Sequence, residues 1–488
     1  MIPQRIGGGA AAVTGALVLL APVVPAHADT PPDSTPEWGE CSGLEEVRGT
    51  YCATLDVPLD HGDPDGDTIE LTLSIAGAGD APRTLVVNPG GPGAPGIGTA
   101  RQVWTSLPQE VAQEYNVVSF DPRGAGSSTP VPCGDTDSLA ERPAPPYTPS
   151  SPQDEEERLT VARQVAEQCA EHGSELLPHM TTENAARDMD LIRQELGRAE
   201  LDFLGYSYGT RLGATYATLF PSNTGRMVFD SVKDPEDSSF TAQFKQNDAL
   251  QHRAEQFFAW AAEHDDTYGL GDTGERVAET WEATRQELEE SPAGERAGSA
   301  DLDDMLASAM YTDLNWPGLA RAVAGHRDGD SGRLLSAADQ LTEQGVNTPL
   351  LSYTCVDDPW PRDWETWREE TRASAEDAPL FAWLNTWYSA PCAFWDAPAS
   401  DPVEIGSEEV PPVLMLHAKD DPATPLAGAE HMRETLPGSR LVVADSGNHG
   451  QFLFDVNDCV DDHGARFLLT GELPERDTTC PGSPAPTP

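Results

Sequence analysis

The chain has 488 residues, 30 of them basic and 82 acidic, for a net charge of −52. That length exceeds the needs of one hydrophobic core, so one large domain with an insertion, or two domains, is expected. The charge repels phosphate backbones and anionic lipid surfaces, which argues against nucleic-acid or membrane-surface partners. With 38 % apolar residues and 11 tryptophans, the chain is also not of the disordered class.

Arg5 precedes an apolar run from Ala10 to Val24, and Ala26-His27-Ala28 follows as a small-x-small cleavage site. This is the layout of a secretory signal peptide over 1–28, and the run is short of the ~20 residues that span a bilayer. The mature chain is therefore expected to begin near Asp29, with no membrane anchor, and to be secreted and extracellular. All eight cysteines lie beyond this cut. An even number in an exported chain points to disulfides, and the absence of C-x-x-C gives no support to a metal site. The pairing expected is nearest neighbours in order: Cys41–Cys52, Cys133–Cys169, Cys355–Cys392 and Cys459–Cys480.

Residues 29–40 are rich in Pro and Asp and are expected to be loose. From there, short β-rich runs alternate with helical patterns, which predicts an α/β fold with a mostly parallel sheet. Strands are expected at 67–75, where apolar and polar residues alternate, and at 84–88, 115–120, 201–204, 226–230, 412–417 and 440–444, apolar runs bounded by turn residues. The stretch 236–405 differs. Its segments 251–263, 276–290 and 302–310 have helical period, and it holds most of the tryptophans. It is read as a helical cap inserted in the sheet, between a first core segment (29–235) and a second (406–480). Most of its aromatics are expected in its core, with a few available to hold substrate. The Pro-rich end, 481–488, reads as a flexible tail.

The chemistry centres on Gly205-Tyr206-Ser207-Tyr208-Gly209. This G-x-S-x-G lies between an expected strand and an expected helix, the setting of a nucleophile elbow. The serine hydroxyl needs a base, and the base needs an orienting carboxylate, in the chain order Ser, Asp/Glu, His. Asp421 follows the strand at 412–417, and His449 follows the strand at 440–444; both occupy carboxyl ends, where α/β sheets build sites. Asp420 is the rival acid. The oxyanion hole needs two backbone N–H donors. Tyr208 supplies one, and the loop Asn88-Pro-Gly-Gly-Pro-Gly93 the other, through Gly91 or alternatively Gly90.

These stretches resemble the secreted tripeptidyl aminopeptidases of actinobacteria, a branch of the prolyl-aminopeptidase-like α/β-hydrolases. The resemblance runs through Cys52–Asp60, Asn88–Gly93, Asp121–Ser128, Thr181–Gly197, Gly205–Gly209, Cys355–Asp357, Asp421–Pro425, Gly447–Gly450 and Cys459–Cys480. It implies an α/β-hydrolase fold with an inserted helical cap, and a TAP-like C-terminal region within 406–480. It also implies Ser207 as nucleophile, Asp421 as acid and His449 as base, peptide substrates with a free N-terminus, and no cofactor. An aminopeptidase must bind an ammonium. Asp357, and after it Asp358, are candidates in the Cys355–Trp360 loop. A secreted esterase shares the same triad, and an inactive hydrolase-fold binding protein is the remaining alternative.

Overall fold

The computed structural model describes residues 36–41, 50–77, 79, 81–139, 142–342 and 345–488. The expected signal peptide and the start of the loose segment lie outside these. The described strands are β1 (Gly39–Glu40), β2 (Tyr51–Pro58), β3 (Thr68–Ala76), β4 (Arg83–Asn88), β5 (Tyr115–Phe120), β6 (Leu201–Tyr206), β7 (Thr224–Asp230), β8 (Leu414–Ala418), β9 (Arg440–Ala444) and β10 (Thr478–Cys480). They form one sheet in the order β1-β2-β3-β5-β4-β6-β7-β8-β9-β10. The pairs from β1 to β5 are antiparallel, and every pair from β5 to β10 is parallel. This is the α/β-hydrolase fold.

The central strands are apolar throughout because both faces are covered. Side chains alternate between two cores. Val86, Phe203, Phe229 and Met415 pack on one face, while Leu85, Val87, Leu204, Val228, Leu414 and Leu416 pack on the other. The expected strands match these closely. β1, β2 and β10 were not expected; only Ala53 and Val57 of β2 are fully buried, so its run reads weakly.

Between β7 and β8 the described chain is helical, from Ser239–Glu263 through Ala382–Ser389. Leu250, Phe257, Trp260, Trp281, Leu306 and Trp316 form a core of their own there. Trp360, Trp367, Trp364, Trp387 and Trp383 stack in sequence at 5.1–5.7 Å between ring centroids. None of these tryptophans lines the cavity that holds Ser207. These tryptophans are packing; the cap aromatic that lines the cavity is Tyr311.

Four disulfides join Cys41 to Cys52, Cys133 to Cys169, Cys355 to Cys392 and Cys459 to Cys480. No helix among the described residues is long and apolar enough to cross a membrane. The end of the chain, read as a loose tail, is hydrogen-bonded to the body: Trp260 donates to the Pro486 carbonyl at 3.1 Å, and Ser483 to Asp455 at 2.6 Å.

Candidate active site

Ser207 sits between β6 and the helix Tyr208–Leu219 with φ 56° and ψ −123°. A non-glycine residue at positive φ is strained, and here the surrounding chain enforces it. The elbow is too tight for side chains at its flanks. A Cβ on Gly205 would lie 2.4 Å from the Gly209 carbonyl oxygen. The loop after β4 presses on the same point, since a Cβ on Gly90 would come within 2.7 Å of the Tyr206 carbonyl and 3.0 Å of Ser207 Cβ.

That loop separates the two oxyanion candidates. The Gly90 amide donates to Asn88 Oδ1 at 3.0 Å. The Gly91 and Tyr208 amides have no protein acceptor among the described residues, and both residues line a cavity of about 270 Å³ with Ser207. Tyr208 opens its helix, so its N–H has no acceptor within the helix.

His449 Nδ1 lies 2.9 Å from each oxygen of Asp421. Asp421 Oδ1 also accepts the amides of Ala423 and Thr424 at 2.9 Å. Burial pushes the Asp421 carboxyl up, but the charge and hydrogen bond of His449 outweigh it and hold the carboxyl at about 2. Burial works against the His449 imidazolium; Asp421, and then Asp230, outweigh it and raise its pKa. Asp420 points elsewhere and accepts from Gln256 at 2.9 Å.

Asp230, the last residue of β7, joins the elbow to the histidine loop. Its carbonyl accepts the Ser207 amide at 2.9 Å. Its buried carboxylate accepts the amides of Gln451, at 2.9 Å, and Phe452. The next residue, Ser231, accepts the Gly450 amide at 2.7 Å. Ser207 and His449 are thus tied to one strand end, although their side chains form no hydrogen bond with each other among the described residues. In free enzymes such bonds are often long and tighten only with substrate.

The cap reaches the same loop. Tyr311 accepts the His449 amide at 2.7 Å on its carbonyl, and its ring meets the imidazole edge-on at 5.3 Å. Arg253 stacks on Trp316 at 4.4 Å and donates to Asn448 at 2.8 Å. The two amine-anchor candidates have different surroundings. Asp357 ends the helix Thr348–Asp357 and lines the cavity, but Thr182 donates to both its oxygens. Asp358 does not line it, and is held by Arg211 at 3.2 Å and by Ser239.

Residues 378–480 match the family model described as TAP-like protein. The tripeptidyl aminopeptidase of Streptomyces lividans is 34 % identical over 471 residues, covering 93 % of this chain and 88 % of that protein. The chain belongs to the tripeptidyl aminopeptidase family. Serine protease Hip1 of Mycobacterium tuberculosis is 30 % identical over 480 residues, covering 91 % of this chain and 90 % of that protein. A protein named Carboxylesterase B from the same organism is 30 % identical over 470 residues, covering 91 % and 89 %. Among solved structures, proline iminopeptidase of Mycobacterium smegmatis overlaps 86 % of this chain and 98 % of its own at 16 % identity, with a TM-score of 0.34.

As a tripeptidyl aminopeptidase family member, the protein is a serine hydrolase. Sequence reasoning missed Asp230, Ser231, Tyr311 and Arg253. Asp230 had a usable signal, because it is an acid at the carboxyl end of an expected strand, the same criterion that singled out Asp421. Tyr311 and Arg253 had none: their roles depend on how the helices dock.

Proposed function

We propose that the protein is a secreted serine exopeptidase that releases short peptides, chiefly tripeptides, from free N-termini. Ser207 Oγ attacks the scissile carbonyl while His449 takes its proton, and Asp421 orients the imidazole and stabilises its charged form. The Gly91 and Tyr208 amides donate to the oxyanion, each worth about 2.7–4 kcal/mol of barrier. His449 then protonates the leaving amine, and water hydrolyses the acyl-enzyme. Asp357, which lines the cavity and accepts from Thr182 on both oxygens, meets the substrate ammonium.

The observation that carries this reading is the strained Ser207 lining a cavity with two amides that have no acceptor among the described residues, its loop tied through Asp230 to that of the His449–Asp421 pair. Cap residues Tyr311, Leu350, Thr354 and Ser389 line the same cavity, which suits the end of a chain better than its middle. The Streptomyces relative's name supports the tripeptide step, and the disulfides suit an exported protein.

The test is turnover of N-terminally free mono-, di- and tripeptide nitroanilides, each with its N-acetyl counterpart. The tripeptide should be fastest and acetylation should slow it strongly. Equal rates with and without acetylation would remove the ammonium anchor. The relative named Carboxylesterase B favours one other reading, an ester hydrolase. Turnover of short nitrophenyl esters with no turnover of any peptide would select it.

A further inference from the structure

The cavity that holds Ser207 carries more charge than the proposed reaction uses. Asp234, Asp237, Asp357, Arg211, Lys233 and Lys245 all line it. Nearly all of these are partnered. Asp237 takes the Lys245 ammonium at 2.6 and 2.7 Å. Asp234 meets the His431 ring at 2.9 Å. Asp357 is held by Thr182, and Arg211 by Asp358 at 3.2 Å.

Lys233 is the exception. Its backbone amide donates to Thr210 at 2.9 Å, but no hydrogen bond or ion pair reaches its ammonium among the described residues. The residue type is also informative. The chain has only three lysines, Lys233, Lys245 and Lys419, among 30 basic residues. Two of them line this one cavity. An ammonium is a compact point charge with three donors, whereas a guanidinium is a broad planar fork.

Burial lowers the Lys233 ammonium to about 8, and the like charge of Arg211 adds to this, against Asp358, Asp357 and Asp237. A half-buried cation that faces a cavity without a contact partner among the described residues gains from an anion that arrives with the ligand.

We propose that Lys233 forms a carboxylate-binding subsite of this cavity, so that the enzyme favours substrates with a carboxylate close to the scissile bond. The proposal rests on the serine-peptidase reading. The carboxylate has two possible sources: an Asp or Glu side chain in the released peptide, or the terminal carboxylate of a short leaving peptide.

The experiment has two arms. In the first, each position of Ala-Ala-Ala nitroanilide is changed in turn to Glu or Gln, and the Glu:Gln ratio of kcat/KM is taken. In the second, tetra-alanine is compared with its C-terminal amide. A charge-assisted hydrogen bond predicts a preference of roughly ten- to a hundredfold in one arm. The first arm reports the side chain, and the second the terminal carboxylate. The preference should collapse towards one in Lys233→Met and be partly kept in Lys233→Arg. Each ratio is taken within one enzyme, so a loss of active fraction cancels. Lys233→Gln is the second neutral variant should Lys233→Met not fold. Ratios near one in every wild-type arm, or a preference that survives in the neutral variants, would overturn the proposal. Failure of wild type on neutral Ala-Ala-Ala nitroanilide would instead sink the peptidase reading. The subsite would then be tested by nitrophenyl hydrogen glutarate against nitrophenyl glutaramate, with the same expected and overturning outcomes.

Discussion

The sheet rim and the helical cap both hold His449, but by different means. At the rim, the register of β6, β7, β8 and β9 fixes where each functional residue emerges. Asp230 and Ser231 then grip the amides of residues 450 to 452. The cap adds the Tyr311 carbonyl, the Tyr311 ring and the Arg253–Asn448 contact. The rim contacts come from a hydrogen-bonded ladder, which resists displacement. The cap contacts depend on how a separately packed set of helices docks. Changes at the rim should therefore remove chemistry, and changes in the cap should detune it.

The largest effect tests the rim itself. Ser207→Ala or His449→Ala should each lower kcat on the tripeptide nitroanilide by roughly a millionfold, with the thermal melt little changed in Ser207→Ala. Residual turnover of even a hundredth would place the nucleophile elsewhere. Next comes the acid. Asp421→Asn should cost about ten-thousandfold, because the imidazole loses its orienting charge. Asp420→Asn removes a charge that faces Gln256, Arg253 and Lys419 rather than His449, and should stay within about threefold of wild type. Comparable losses in the two variants would reopen the assignment.

Much of this rim was legible in the sequence, for a physical reason. Short apolar runs ending in Gly, Asp or Asn mark buried strands, and the residues just past them mark a site. The G-x-S-x-G turn is legible because a positive φ at Ser207 demands small flanks. Asp357 and Asp358 show where such reading stops. Adjacent acids look alike on paper, yet Thr182 and Arg211, distant in sequence, give them different surroundings. β10 was invisible because three residues carry no period; it is the pairing with β9 and the Cys459–Cys480 bridge that hold it. The cap's grip on His449 leaves no local pattern at all.

A smaller effect separates rim from cap. Arg253→Met loses a cation–π contact and a buried hydrogen bond to Asn448. About 1–3 kcal/mol is at stake, so kcat/KM should fall roughly five- to a hundredfold. The melt of the cap should fall with it. A loss as deep as that of Asp421→Asn would mean that the cap, not the rim, fixes the base.

The finest test is the acid limb of the kcat/KM profile. In the proposed mechanism His449 must be neutral to take a proton from Ser207. Its pKa is raised above 6.5 in the folded protein, mainly by Asp421 against the cost of burial, so the limb should lie above 6.5. Asp230 titrates in the same window, because burial pushes its carboxyl to about 7 despite the amides of Gln451 and Phe452. The wild-type limb is then a compound of two interacting groups. Asp230→Asn should leave one step, at lower pH, since the second carboxylate no longer favours the imidazolium. Stability carries the same signature. The contribution of His449 is complete below 6.5 and is lost as pH rises through its raised folded value. The contribution of Asp230, a carboxyl raised on folding, is complete below 3.8 and is lost as pH rises through about 7. Burial raises Asp303 and Asp304 as well, so wild type should lose stability from about pH 4 to above pH 7, and Asp230→Asn should lose less over the same range. An unshifted limb in Asp230→Asn would show that the rim's second carboxylate holds the loop without acting on the base.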